Sequence, residues 1–161
     1  VPARAPPTPP ETGASSRVRP FAAAASALGQ ELTIPEMAQS LVLTRISGRA
    51  SKMPEREKLA TFAATGATLA IHLAIHAIDR ITEELLPFYG ETCPVAVVVR
   101  ASWPDERIIM GTLSDITAKL AEDPVERTAL VLVGPVIGFK EGRESALYSE
   151  SYQRRFRGRG V

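Results

Sequence analysis

The sequence is poor in cysteine and has almost no net charge, which removes several classes of function at the outset. Cys93 is the single cysteine, so the chain can form no internal disulfide and cannot build a thiolate-rich zinc site. The formal net charge is only +1, which is not the balance of a protein that seeks nucleic acid through charge. We therefore expect no nucleic-acid partner.

Long apolar runs are also missing. No run approaches the roughly 20 residues that cross a bilayer, and residues 1–19 lack the apolar segment that opens a signal peptide. From these absences we expect no membrane partner and a cytoplasmic protein.

Sequence motifs for phosphate, metal or nucleophilic chemistry are absent as well. There is no glycine-rich phosphate loop, and Cys93 stands beside Pro94 without a recognisable base, so a nucleophilic triad has no support. His72 and His76 are four residues apart, a spacing that could place two imidazoles on one metal ion. Because neither an HExxH glutamate nor a third ligand accompanies them, we expect no metal site.

What remains is the composition of one globular domain. The chain has 161 residues, of which 45% are hydrophobic and 23% charged, and a domain usually contains roughly 100 to 200 residues. Residues 1–19 are rich in proline and show no apolar periodicity, so we expect them to be disordered. The foldable chain is expected to begin at Pro20.

From Pro20 onward, helical and strand patterns alternate. We expect strands at Ser40–Ile46, Ala67–His72, Pro94–Arg100, around Ile108 and at Thr128–Val133. We expect helices at Phe21–Leu28, Pro54–Ala64, Ala74–Phe88 and Ser114–Leu120, with a last one carrying Tyr148, Tyr152 and Phe156. Thr112 or Ser114 is the expected cap of the fourth helix. The pattern predicts the α/β class, with a mixed five-stranded sheet flanked by helices and antiparallel pairing of the third and fourth strands.

The loops that directly follow strands are the candidate site, because ligands of open α/β sheets collect at the carboxyl ends of strands. Four loops qualify: 44–49, 72–73, 100–106 and 134–138. Arg45, Arg49 and Lys52 would suit a polycarboxylate, since guanidinium groups pair with carboxylates; solvated surface cations are the alternative. Similarly, the string RASWPDE from Arg100 could be a ligand loop or a structural turn anchored by its tryptophan.

Several strings resemble one family when they are read in order. FAAAASALGQELTIPE, LVLTRISGRASKMPE, GATLAIHL, the segment containing RASWPDE, TALVLVGPVIG and LYSESYQRRFR are similar to the precorrin-4 methyltransferases among the S-adenosylmethionine-dependent tetrapyrrole methylases. The resemblance covers about Phe21 to Gly158. It implies that residues 20–158 are the C-terminal domain of the two-domain tetrapyrrole methylase fold.

The resemblance also implies an activity and a site. The activity is methyl transfer from S-adenosylmethionine to a ring carbon of a precorrin-4-like tetrapyrrole in cobalamin biosynthesis, in a homodimer. The alternative is a non-catalytic fragment that serves as a dimerisation or partner-binding domain. The implied cofactor-binding residues are Leu73, Ala101, Ser102, Gly134, Pro135 and Val136, and the implied substrate-binding residues are Arg45, Met53 and Arg100. Asp105 or Glu106 could accept a proton, but a solvated turn carboxylate is the simpler interpretation and no catalytic residue is assigned.

The chain departs from the family just before FAAAA. The family usually has a Val-x-Pro-Gly-x-Ser-Ser segment there, whereas this chain reads Ser-Ser-Arg-Val-Arg-Pro. With suitable codons, the register one base earlier spells Pro-Gly-Ala-Ser. We therefore hypothesise that a frameshift replaced the native segment and separated the N-terminal domain; resequencing that finds no such domain upstream would contradict this.

Overall fold

The computed structural model describes residues 20–47 and 52–139. The expected disorder of residues 1–19 and the expected last helix lie outside this part of the chain. The helices are α1 (Pro20–Leu28), α2 (Leu59–Ala63), α3 (Ile78–Tyr89) and α4 (Ile116–Glu122), with short 3-10 helices at Glu55–Glu57 and Ile75–Ala77. The strands are β1 (Leu41–Arg45), β2 (Thr68–His72), β3 (Pro94–Val99), β4 (Arg107–Thr112) and β5 (Ala129–Val133).

The five strands form one mixed sheet in the order β1-β2-β5-β3-β4. β1 and β2 are parallel, and every other neighbouring pair is antiparallel. The predicted mixed five-stranded sheet is therefore confirmed. The expected pairing of β3 with β4 is confirmed too, in a register that places Pro94 opposite Thr112 and Val99 opposite Arg107.

Both faces of the sheet are apolar, which explains the continuous runs of branched residues in β3 and β5. One face carries the larger core, where Ile71, Val97 and Val131 pack with residues of α2, α3 and α4. On the other face Ala70, Ala96 and Leu132 pack with α1. The sheet is thus the central layer of the domain.

α3 is held to the sheet along its length. Ile81 and Leu85 are fully buried, and the Tyr89 hydroxyl at its end donates a hydrogen bond to the Ala67 carbonyl. Burial raises the pKa of Tyr89 to about 12. This helix is therefore a fixed reference for the loops that touch it.

Three predicted helices begin or end differently in the structure. The one expected over Pro54–Ala64 is divided, because Lys58 has an extended backbone (ψ 149°) between the 3-10 helix and α2. The one expected over Ala74–Phe88 is likewise a 3-10 turn followed by α3. α4 begins at Ile116 without a side-chain cap, and instead the Asp115 carboxylate accepts the Thr112 amide at 2.6 Å.

Candidate functional site

Strand direction decides which loops share an edge of the sheet. β1, β2 and β3 end at one edge, which we call the carboxyl edge, and the antiparallel strands β4 and β5 begin there. The loops after Arg45, His72 and Val99 therefore lie at the carboxyl edge. The loop after β5 lies at the opposite edge.

A groove of about 690 Å³, which we call the Arg45 groove, opens where β1 and β2 end. It brings together three residues that the sequence resemblance singled out, Arg45, Met53 and Leu73. Its remaining lining residues are Leu43, Thr44, Lys52, Pro54, Glu57, Phe62 and His72. The groove thus combines apolar walls with charged groups, as ligand sites commonly do.

The charges of the Arg45 groove favour an anionic ligand. Arg45 and Lys52 are both exposed cations, opposed within the lining by the single carboxylate of Glu57. Burial lowers the pKa of His72, and the nearby charge of Arg45 lowers it further. His72 is therefore neutral at pH 7, so it adds a polar group to the groove but no positive charge.

Leu73 has a conformation that its side chain does not favour. Its φ is +54°, in the left-handed region that costs a non-glycine residue free energy. Its side chain is 71% exposed. A large apolar side chain held in a strained backbone at the mouth of a groove is typical of a ligand contact.

The RASWPDE loop is a tight turn with two further left-handed residues. Arg100 and Ser102 have φ values of +49° and +69°, and the Trp103 amide donates to the Arg100 carbonyl at 2.9 Å. A positive φ at the third position is the requirement of a type II turn. Ala101, the second residue of the turn, is half-buried against the face that carries α1.

Side chains brace this turn from within. The Arg100 guanidinium lies 4.6 Å from the centre of the Trp103 ring and 2.9 Å from the Asp105 carboxylate. The Glu106 carboxylate accepts the Ser102 amide at 2.6 Å. Both carboxylates thus hold the loop in shape, which favours the structural interpretation of Asp105 and Glu106.

Arg100 does not line the Arg45 groove. It lies in a second groove of about 550 Å³ at the same edge, together with Asp105, Arg107 and residues 124–128. The structure therefore places the expected substrate-binding residues in two grooves, with Arg45 and Met53 in one and Arg100 in the other.

The Gly134-Pro135-Val136 loop is not brought together with Leu73 and Ala101. It follows β5, and since β5 runs antiparallel to β2 and β3, it lies at the opposite edge, five strand residues or roughly 17 Å away. There the Gly134 amide donates to the Pro94 carbonyl, and Gln30 donates from its side chain to the Val136 carbonyl. These contacts give the loop a structural role.

The sequence pattern predicted the Gly134-Pro135-Val136 loop at the carboxyl edge, but the structure has Thr128 at that position. Thr128 precedes β5 between the ends of β2 and β3, its φ is +58°, and its carbonyl accepts the Arg100 amide at 2.8 Å. Of the five non-glycine residues with positive φ in the described part, four lie at this edge: Leu73, Arg100, Ser102 and Thr128. Only the direction of β5, which the strand pattern does not reveal, would have identified Thr128.

Residues 20–47 and 52–139 contain neither a metal-binding cluster nor a membrane-spanning helix. No group of three or more His, Cys, Asp and Glu side chains is placed to hold a metal ion there. Within the same residues no helix is both long and apolar enough to cross a membrane.

The sequence profile of the family Tetrapyrrole (Corrin/Porphyrin) Methylases matches residues 18–117. The chain therefore belongs to the tetrapyrrole methylase family, which confirms the resemblance read from its strings and the fold expected from it.

Named relatives make the comparison more specific. The chain is similar to a precorrin-4 C(11)-methyltransferase of Sinorhizobium sp., with 69% identity over 140 residues that cover 87% of this chain and 55% of the relative. A crystal structure of a cobalt precorrin-4 methyltransferase superposes with a TM-score of 0.69 at 35% identity, over 73% of this chain and 49% of that one.

A third comparison concerns the fold alone. A uroporphyrin-III C-methyltransferase from Thermus thermophilus, solved with S-adenyl homocysteine, superposes with a TM-score of 0.57 at 24% identity, over 71% of this chain and 50% of that one. In these three comparisons the chain spans about half the length of the protein it matches.

Proposed function

We propose that this chain contributes part of the site of an S-adenosylmethionine-dependent methyltransferase that methylates a ring carbon, C-11, of a precorrin-4-like tetrapyrrole in cobalamin biosynthesis. Residues 20–158 would be the C-terminal domain of that enzyme. The observation that carries the proposal is the Arg45 groove, in which Arg45 and Met53 meet the strained, exposed Leu73. The names of the relatives supply the reaction.

The substrate class follows from the cations at the carboxyl edge. Arg45 ends β1 and Arg100 follows β3, three strand intervals away, or roughly 14 Å. A tetrapyrrole carries carboxylate arms around a wide flat ring, so two separated guanidinium groups suit it better than one compact anion would. Apolar Met53 can contact the ring between the arms.

The methyl donor is proposed to lie beside Leu73, Ala101 and Thr128. Leu73 follows β2, Ala101 lies in the loop after β3, and Thr128 precedes β5. These strands are neighbours in the order β2-β5-β3, so about 10 Å separates β2 from β3. Exposed Leu73 and half-buried Ala101 offer an apolar surface to the donor. S-adenosylmethionine, when bound, would supply an electrophilic methyl group.

The role of this chain's residues in catalysis is to position the two ligands. Methyl transfer depends on aligning donor and acceptor and excluding water, so no catalytic triad is required. Arg45 and Arg100 would orient the tetrapyrrole through its carboxylates, while Leu73 would exclude water from the donor. We assign no catalytic base.

Two titrations of the purified chain test the proposal. S-adenosylhomocysteine is titrated by calorimetry, and uroporphyrin III, a stable polycarboxylate tetrapyrrole, is titrated by its fluorescence. Saturable micromolar binding of both is expected, with about tenfold weaker uroporphyrin binding in Arg45→Ala, a change of about 1.4 kcal/mol. Arg56→Ala is the matched control, since Arg56 is an exposed arginine that lines none of the grooves described above. A folded chain that binds neither ligand would refute the proposal.

A second candidate function rests on exposed apolar residues. Leu43, Ile108 and Met110 are large and exposed, and their strand pairing places them on the face that carries α1. Such surface on one face marks an interaction site. It favours a domain that dimerises or docks on a partner chain, with or without methyl transfer.

A further inference from the structure

Ser47, just after β1, accepts two hydrogen bonds, one at its hydroxyl and one at its carbonyl. Its hydroxyl oxygen accepts the Met53 amide at 3.1 Å, and its carbonyl accepts a guanidinium N–H of Arg80 at 3.0 Å. Arg80 belongs to the first turn of α3. The contacts therefore link Ser47, two residues after Arg45, to Met53 and to α3.

The link continues into a small groove beside the Arg45 groove. This groove, of about 330 Å³, is lined by Arg80, Ser47, Glu84 and their neighbours, and it shares Arg45, Met53 and Glu57 with the Arg45 groove. Arg80 and Ser47 do not line the Arg45 groove itself. They line only the smaller groove, next to Arg45 and Met53, which line both grooves.

Arg80 projects from a part of α3 that is tied to the core. Ile81, its neighbour, is fully buried, and one turn further along, the Glu84 carboxylate accepts the Ala60 amide of α2 at 3.4 Å. Because this helix is fixed to the core, a hydrogen bond from the Arg80 side chain fixes its acceptor relative to the core. The Ser47 carbonyl is that partner.

We infer that Arg80, acting through Ser47, is a positioning residue that sets the spacing of Arg45 and Met53 for a polycarboxylate tetrapyrrole. This inference rests on the proposed function of the Arg45 groove. Arg80 itself does not touch the ligand. The two hydrogen bonds of Ser47 hold the chain after β1 against Met53, so the cation and the apolar contact face the ligand together.

Variants of Ser47 and Arg80 distinguish an effect of positioning on ligand binding from an effect of net charge. Ser47→Ala removes the acceptor of the Met53 amide without changing charge, and Ser47→Thr restores it. Arg80→Ala removes both a charge and a donor, whereas Arg80→Lys keeps a cation that can still reach a carbonyl. Arg56→Ala again removes an exposed charge outside the grooves.

The experiment measures uroporphyrin III and S-adenosylhomocysteine affinities of the full chain and its variants, together with amide exchange at Met53. We expect Ser47→Ala and Arg80→Ala to weaken uroporphyrin binding by roughly three- to tenfold, the worth of one hydrogen bond. Met53 should exchange faster in both, while S-adenosylhomocysteine affinity stays within about twofold. Ser47→Thr and Arg80→Lys should stay close to wild type.

Different failures have different meanings. Wild-type chain that binds neither ligand refutes the proposed function. Wild-type binding with unchanged uroporphyrin affinity in Ser47→Ala and Arg80→Ala refutes the positioning role alone. Equal losses for both ligands would make Arg80 a general stabilising residue, and an equal loss in Arg56→Ala would reduce the effect to net charge; either result overturns the inference.

Discussion

At the scale of single residues, the notable feature is strain collected at one edge of the sheet. Leu73, Arg100, Ser102 and Thr128 all have left-handed backbones, and each such conformation costs on the order of 1 kcal/mol or more. Surrounding contacts hold them in place, as the Thr128 carbonyl does by accepting the Arg100 amide. Strain retained in four residues of one edge is common at ligand sites, and it supports the site proposed there.

The exposed side chain of Leu73 gives the first prediction. Leu73→Ser should leave the melting temperature nearly unchanged because the side chain is 71% exposed, yet weaken S-adenosylhomocysteine binding by about tenfold, as the loss of one apolar contact would. Calorimetry measures both. Phe88→Ser, which removes another exposed apolar side chain on α3, is the control and should bind normally; equal affinity in the two variants would remove Leu73 from the site.

His72 predicts a pH dependence of stability. Burial, followed by the charge of Arg45, lowers its pKa below the ordinary 6.5, so folding favours the neutral imidazole. Its contribution is therefore complete above about pH 6.5 and is lost as the pH falls from there toward the folded pKa. Urea unfolding between pH 5 and 7 should show a steeper loss in wild type than in His72→Gln. His76→Gln, which alters an exposed histidine, is the matched control.

At the scale of elements, the corner between β4 and α4 depends on a glycine. A Cβ on Gly111 would come within 2.5 Å of the Asp115 carboxylate, which accepts the Thr112 amide and pairs with Lys119 at 2.8 Å. The hydrogen bond from Lys119, followed by that from the Thr112 amide, lowers the pKa of Asp115. The Asp115 carboxylate thus stabilises the corner, and it fits there because Gly111 has no side chain.

Gly111→Ala should lower the free energy of unfolding by about 1–3 kcal/mol, the usual cost of overpacking. The double variant with Asp115→Ala should lose less than the sum of the two single changes, because the second change removes the atom that clashes. Urea titration of the four proteins measures this coupling. Strict additivity would show that the corner adjusts without the glycine.

The start of β2 offers a stabilising change. The Thr68 hydroxyl is fully buried and has no hydrogen-bond partner among the described residues. Thr68→Val keeps the shape and removes an unpaired polar group, so the free energy of unfolding should rise by about 1 kcal/mol. Thr44→Val is the control, since that buried hydroxyl donates to the Arg45 carbonyl; its loss should not stabilise.

At the scale of the whole molecule, the two faces of the sheet differ in cover. α2, α3 and α4 pack on one face, and α1 packs on the other beside exposed Leu43, Ile108 and Met110. Apolar side chains on two outer strands of one face are expected to associate with another surface. In a solution of the pure protein, the only available binding partner for this face is a second copy of the chain.

Sedimentation velocity tests that expectation. Wild-type chain should show concentration-dependent dimerisation, and Leu43→Lys combined with Ile108→Lys should shift it to monomer. Lys at an edge strand opposes association without disturbing the buried face. A wild-type chain that stays monomeric at high concentration would contradict the dimer proposal while leaving the ligand titrations to decide the methyltransferase proposal.

The strand and helix content was predictable because it depends on local pattern. Branched runs such as Val95–Val99 are strands wherever they pack, and the stripe of Ile75, Ile78, Leu85 and Leu86 is a helix face wherever it is buried. Helix boundaries were less predictable. The extended backbone at Lys58 and the uncapped start of α4 reflect how neighbouring segments pack, which periodicity does not record.

The sequence by itself determined the class of fold and the family, and it singled out Arg45, Leu73 and the RASWPDE loop as candidates, because these are carried by residue types and short strings. Tertiary structure alone decided which of them meet. β5 inserts antiparallel between β2 and β3, and because reversing one strand moves its final loop to the far edge, Gly134 lies away from Leu73 and Ala101, whereas Thr128 lies at their edge.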